Sequence, residues 1–134
     1  MQKILLNIFY ILLINQSTVF AGTTQLELNQ QSYQRKIAAQ QTLNKALQNY
    51  RKNIDPAYIE AFNTSEAAWY KYAQSYCKFI SKKNIDGSIY PLVLNNCLTE
   101  QIIEHTKQLN QLLHCREGDL QCPGESHLKF SDLC

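Results

Sequence analysis

The sequence predicts an all-α protein, a small antiparallel bundle of about three helices clasped by disulfides. Three observations carry this expectation. Apolar residues recur at three- and four-residue steps along three long segments. The four glycines and three prolines fall ahead of, between or after those segments or at their first position, never in their interiors. All five cysteines, Cys77, Cys97, Cys115, Cys122 and Cys134, lie well beyond an apolar leader. A chain of 134 residues has room for one domain and not comfortably for two.

The leader begins with Met1-Gln2-Lys3. An apolar run from Ile4 to Ile14 follows, interrupted only by Asn7, and then Val19-Phe20-Ala21. Basic start, apolar run and small residues at the end are the order of a secretory signal. The run is shorter than the roughly 20 residues that span a bilayer. The expected organisation is a signal at 1–21, a helical domain at 22–114 and a disulfide loop with a tail at 115–134. Such a protein is exported, to the periplasm or beyond, with no stable membrane insertion once the signal is removed. No cysteine follows the apolar run directly, which argues against a lipid anchor.

Charge excludes one class of partner. The formal charge is +2, and removal of Lys3 leaves +1. A nearly neutral protein has no strong electrostatic reason to seek nucleic acid. Its aromatic residues are not interleaved with enough Lys and Arg to read as a base-stacking platform.

The first helix is expected at 26–53, with Leu26, Tyr33, Ile37, Leu47, Tyr50 and Ile54 near one face. Gln40-Gln41-Thr42 interrupts that stripe. Asp55-Pro56 announces the second helix, because Asp caps free amides and Pro is tolerated at the first helical position. This helix reaches about residue 82. Its expected inward stripe is Tyr58, Phe62, Ser65, Trp69, Tyr72, Tyr76 and Phe79, so Trp69, Tyr72 and Tyr76 are the expected core. A connector at 84–90 contains Gly87, which can adopt a positive φ. Pro91 then opens a third helix to about residue 113, with Leu94, Leu98, Ile102, His105, Leu109 and Leu112 inward. Short connectors imply antiparallel neighbours.

In that arrangement Cys77 and Cys97 lie at similar distances from the connector and can pair. Such a bridge, closing a loop of about twenty residues, contributes roughly 3 kcal/mol. Cys115 and Cys122 read as a small closed turn. Proximity favours these two pairs, although five cysteines allow about fifteen two-bridge arrangements. Cys134 is left over, and can remain a thiol or link two chains into a dimer.

Several patterns suggest chemistry and do not sustain it. His114, Cys115, Cys122 and His127 do not match the common zinc spacings, and an oxidising compartment favours disulfides. No cofactor or metal is expected. His105 sits on an apolar stripe with no nucleophile beside it in sequence. The acid pairs Glu100/Glu104 and Glu117/Asp119 read as solvated charges. There is no glycine-rich phosphate loop and no Ser-centred elbow. The sequence therefore reads as non-catalytic.

A set of residues resembles a known family. Exported bacterial proteins of the LprI-like lysozyme-inhibitor family carry an Ala-Trp element, a Tyr and a Cys. A Gly-Ser connector, a second Cys, a Leu-Thr-x-x-Arg element and a final Leu follow. Here Ser65-Glu66-Ala67-Ala68-Trp69, Tyr72 and Cys77 stand at the first part. Asp86-Gly87-Ser88, Cys97 and Leu109 stand at the second, and Leu28-Asn29 with Tyr33 fits the opening. The family's Arg-Asp is replaced by Ala73-Gln74. Its Leu-Thr is placed at Gln101-Ile102 and its Arg at His105. The resemblance implies a helical, disulfide-clasped binding protein of the cell envelope with a protein partner, lysozyme foremost. An inhibitor that plugs a cleft with two carboxylates needs a protruding loop with donors or cations. Lys82, Lys83 and Ser88 on the connector and Arg116 on the small loop are the candidates. The competing expectation is a structural or adaptor module that docks on another envelope protein.

Overall fold

The computed structural model describes residues 22–114 and Cys122. The expected signal, Cys115, Arg116 and Cys134 lie outside the described residues. Cys122 is half-buried and disulfide-bonded.

Three long helices account for nearly all of the described chain: α1 (Gln25–Asn53), α2 (Ile59–Ser81) and α3 (Tyr90–Leu112). The first is longer than its neighbours, at 29 residues against 23. Its start has a sequence cause, a capping box in which the Glu27 N–H donates to Thr24 Oγ1 at 3.2 Å. In return the Thr24 N–H donates to Glu27 Oε2 at 2.7 Å. Asp55 caps the next segment as expected, its Oδ1 accepting from the Ala57 N–H at 2.8 Å. Pro56–Tyr58 forms one 3-10 turn before the α-helix proper begins. Among the described residues no helix is long and apolar enough to cross a membrane.

The chain runs up, down and up. Three contacts show that α1 and α3 are parallel. Asn29 Nδ2 donates to the Ser88 carbonyl at 2.9 Å, Asn95 Nδ2 to Ser32 Oγ at 3.3 Å, and Arg35 Nη2 to Asn96 Oδ1 at 3.1 Å. The α2 helix is antiparallel to both, and the Cys77–Cys97 disulfide ties its last turns to the start of α3. The most extensive interface is between α1 and α3.

The two ends of the bundle are built differently. Where α1 ends and α2 begins, Leu43, Ala46, Tyr50, Ile54, Phe62, Ile102 and Leu109 form one apolar core. The Tyr50 and Phe62 rings meet there at 4.7 Å. Towards the connector the interior narrows to small and polar groups. Ser32, Ala73, Cys77 and Ser81 are fully or almost fully buried. Ser32 Oγ donates to the Asn29 carbonyl, and Ser81 Oγ to the Cys77 carbonyl, both at 2.7 Å. A thin core buries little apolar area, so the disulfide and these hydrogen bonds supply the cohesion there.

Two inward faces differ from expectation. On α2 the inward line is Phe62, Glu66, Trp69, Ala73, Cys77 and Ser81, with Glu66 and Trp69 half-buried and the other four buried. Trp69 is half-buried, but Tyr72 and Tyr76 are exposed, at 58% and 38%, as are Tyr58 and Phe79. The disulfide is the physical reason. Cys77 must face α3, and Ala73, one turn earlier, shares its face. The tyrosines are rotated off that face and stack on each other at 5.7 Å. On α1 the expected face holds towards the C-terminal end, where Tyr50 and Ile54 are buried and Leu47 half-buried, but Leu26 and Tyr33 are exposed and Ser32, Leu43 and Ala46 are buried instead. The expected face of α3 holds, with Leu98, Ile102 and Leu109 buried and Asn95 and Thr106 beside them. Gly87 does not use a positive φ. A Cβ there would come within 3.3 Å of the Asn84 carbonyl oxygen, so its role is close approach in the turn.

Candidate functional site

Two places in the fold gather chemistry-bearing side chains. The first is a polar and aromatic cluster between α2 and α3. His105 Nε2 lies 2.8 Å and 3.0 Å from the two carboxylate oxygens of Glu66. The indole of Trp69 stacks on the imidazole, with centroids 3.9 Å apart and planes 11° from parallel. Both partners of this contact are mostly shielded, each side chain 11% exposed. With Glu66 ionised, Nε2 must carry a proton to make this contact. Nδ1 is buried and meets no hydrogen-bond partner among the described residues. The imidazole thus has one nitrogen committed to a carboxylate, one face covered by an indole and, among the described residues, no nucleophile in contact. That arrangement joins two helices and sets their spacing.

The register of this cluster follows from the disulfide. Trp69 lies eight residues before Cys77, and His105 lies eight residues after Cys97. In antiparallel helices equal steps from a fixed contact meet again, here about 12 Å away. His105 was legible as an inward residue. Glu66 was missed, although it shares the inward face with Phe62 and Trp69 and could have been paired with an inward His.

The second place is the connector end. Lys82 and Lys83 lie in a 3-10 turn, Lys82–Asn84, directly after α2, and both are exposed. Ser88 is exposed, and its carbonyl is held by Asn29. Successive tight turns shape the loop, with the Ile85 N–H donating to the Lys82 carbonyl at 3.2 Å. The Gly87 N–H donates to Asn84 at 2.8 Å and the Tyr90 N–H to Gly87 at 3.0 Å. The structure therefore brings Lys82, Lys83 and Ser88 together on one end, clasped below by Cys77–Cys97. Arg116 lies outside the described residues. No group of three or more His, Cys, Asp or Glu that could hold a metal occurs among the described residues.

The profile of the family described as "Lysozyme inhibitor LprI" matches residues 18–109, more than half of the chain. The chain belongs to the LprI family. That stretch of the LprI-family chain takes in α1, α2, the clasped connector and most of α3. A curated relative, an uncharacterized protein of Rhizobium meliloti (strain 1021), is 31% identical over 95 residues. The alignment covers 69% of this chain and 65% of that relative, so the chain spans about two-thirds of its length. No solved structure matches the chain. Leu98 is buried, and Thr99 Oγ1 donates to the Asn95 carbonyl at 2.7 Å. These two residues follow Cys97 directly and flank the disulfide.

Proposed function

We infer that this protein is an exported envelope protein that binds a protein partner directly, and that lysozyme is that partner. Membership of an inhibitor family over residues 18–109 is the observation that carries the reading. The signal-like order of the first 21 residues supports export, with the chain beginning at Gly22 after processing. In this reading the connector end makes the contact. Lysozyme hydrolyses glycans with two carboxylates in a cleft. Lys82 and Lys83 offer ammonium groups to those carboxylates, and Ser88 and Arg116 offer further donors. The disulfide and the Asn29–Ser88 bond hold the loop before binding, which lowers the ordering cost of association.

The test is a titration of a panel of lysozymes with the oxidised protein at two salt concentrations. Inhibition near stoichiometry, weakened by changing Lys82, Lys83 or Arg116, is the expected result. A formal charge near zero gives little long-range steering, so association should depend weakly on salt. Failure to inhibit any lysozyme would refute the reading and leave the adaptor role. The exposed tyrosines of α2 favour that second reading, because they give the protein a further face for docking.

A further inference from the structure

Exposed apolar side chains are unevenly distributed over the described surface. Away from the connector end, the large exposed hydrophobics are tyrosines, with the exception of Ile103. Tyrosine tolerates water because its hydroxyl stays solvated. At the connector end the residues are of another kind. Phe79 is 73% exposed, Ile85 58%, Ile80 43% and Ile89 41%, and Leu26 in the first turn of α1 is 77% exposed. None of these side chains has a polar tip. Phe79 and Ile80 close α2, and Ile85 and Ile89 flank the Asp86-Gly87-Ser88 turn. The Asn29 bond to Ser88 brings the start of α1 to the same end. Clustered apolar exposure rimmed by charge marks a contact surface, whereas scattered single residues do not.

We propose that this end is an apolar knob whose anchors are Phe79 and Ile85, and that it enters the lysozyme cleft with Lys82 and Lys83 facing the two carboxylates. The proposal rests on the lysozyme reading and names the side chains that would carry its affinity. Three features select such a partner. The surface is convex, a helix end and a tight turn, so it fits a recess. Its centre is apolar and its rim cationic, which complements a cleft with carboxylates. Lys78, Lys82 and Lys83 are exposed and make no ion pair or hydrogen bond among the described residues. Glu27 is at the same end, but its carboxylate is engaged by the Thr24 N–H, which leaves Asp86 as the uncommitted acid. Binding energy in such contacts concentrates on central desolvated anchors, and rim charges contribute less. The lysines then set orientation, and the phenyl and isoleucyl groups supply most of the affinity.

The experiment is inhibition of lysozyme by the oxidised, exported form and by four variants, Phe79→Ala, Ile85→Ala, Lys82→Ala and Ile103→Ala. Thermal unfolding is followed in parallel. Phe79→Ala and Ile85→Ala should each raise the inhibition constant roughly tenfold or more. Lys82→Ala should have a smaller effect, and Ile103→Ala none. Because all four residues are exposed, unfolding temperatures should stay near that of the parent. If the parent inhibits and neither Phe79→Ala nor Ile85→Ala weakens it, the knob is refuted while the inhibitor reading stands. If the parent inhibits no lysozyme, both fall together.

Discussion

Replacing Trp69 by alanine, with Tyr72→Ala as its partner experiment, tests which face of α2 points inward. Trp69 packs at the edge of the apolar core and covers the His105 ring. If roughly 100 Å² of the indole is withdrawn from water, the transfer term at about 25 cal/mol per Å² is about 2.5 kcal/mol. Loss of the ring stack adds roughly 1 kcal/mol, for a total of about 3.5 kcal/mol. Tyr72 is 58% exposed and touches mainly Tyr76, so its truncation should cost less than about 1 kcal/mol. Urea titration followed by far-UV circular dichroism measures both. Fluorescence cannot serve, because Trp69 is the single tryptophan. A double-mutant cycle with His105→Ala should return a coupling of about 1 kcal/mol if the stack is real. Equal losses at the two positions, or a larger one at Tyr72, would refute the assigned rotation of α2.

Two further predictions follow from the build of the bundle. Cys77→Ser with Cys97→Ser should lower stability by roughly 3 kcal/mol. Hydrogen exchange should quicken first at the connector and the first turns of α1, where the core is thin, and last around Leu43 and Leu109. Burial pushes the Tyr50 hydroxyl above the ordinary tyrosine pKa, because desolvation disfavours its charged form. The unfolded chain then loses that proton at a lower pH than the folded one. The contribution is intact below about pH 10 and is lost as pH rises from there through the folded-state value. Tyr50→Phe should flatten the alkaline decline in stability relative to the parent, and an unchanged slope would contradict the burial argument.

Much of the fold was legible because it rests on local signals. The Asp55-Pro56 start and the period of three and four in the third helix are written in neighbouring residues. Cys77 and Cys97 could be paired once the second and third helices were taken as antiparallel. The face of α3 was read correctly because its inward residues are large, Leu98, Ile102 and Leu109 among them. The face of α2 and the first turns of α1 were misjudged for the opposite reason. Their inward lines run through Ser32, Ala46, Ala73 and Ser81, small residues with little hydropathic signal. The large aromatic residues that seemed to mark a seam, Tyr33, Tyr72 and Tyr76, stand in water. Small inward residues let helices approach closely, so a narrow interior selects against bulk that a periodicity count rewards.

The candidate contact surface divides along the same line. Lys82, Lys83 and Ser88 could be nominated from sequence because a loop between two helices, ending at a Cys pair, is visible without coordinates. The apolar company they keep could not. Phe79 counted as a core residue until the disulfide set the rotation of α2, and Leu26 counted as one until α1 was seen to start level with the connector. By itself the sequence determined the helical class, the helix boundaries to within a few residues and the clasp between Cys77 and Cys97. These depend on capping, on turn chemistry and on one covalent bond. Only the tertiary structure decided which face of each helix is buried, that Glu66 meets His105 under Trp69, and that the exposed apolar residues gather at one end. Those outcomes depend on the mutual rotation and stagger of helices, which the disulfide and the close-packed small residues impose together and no single segment contains.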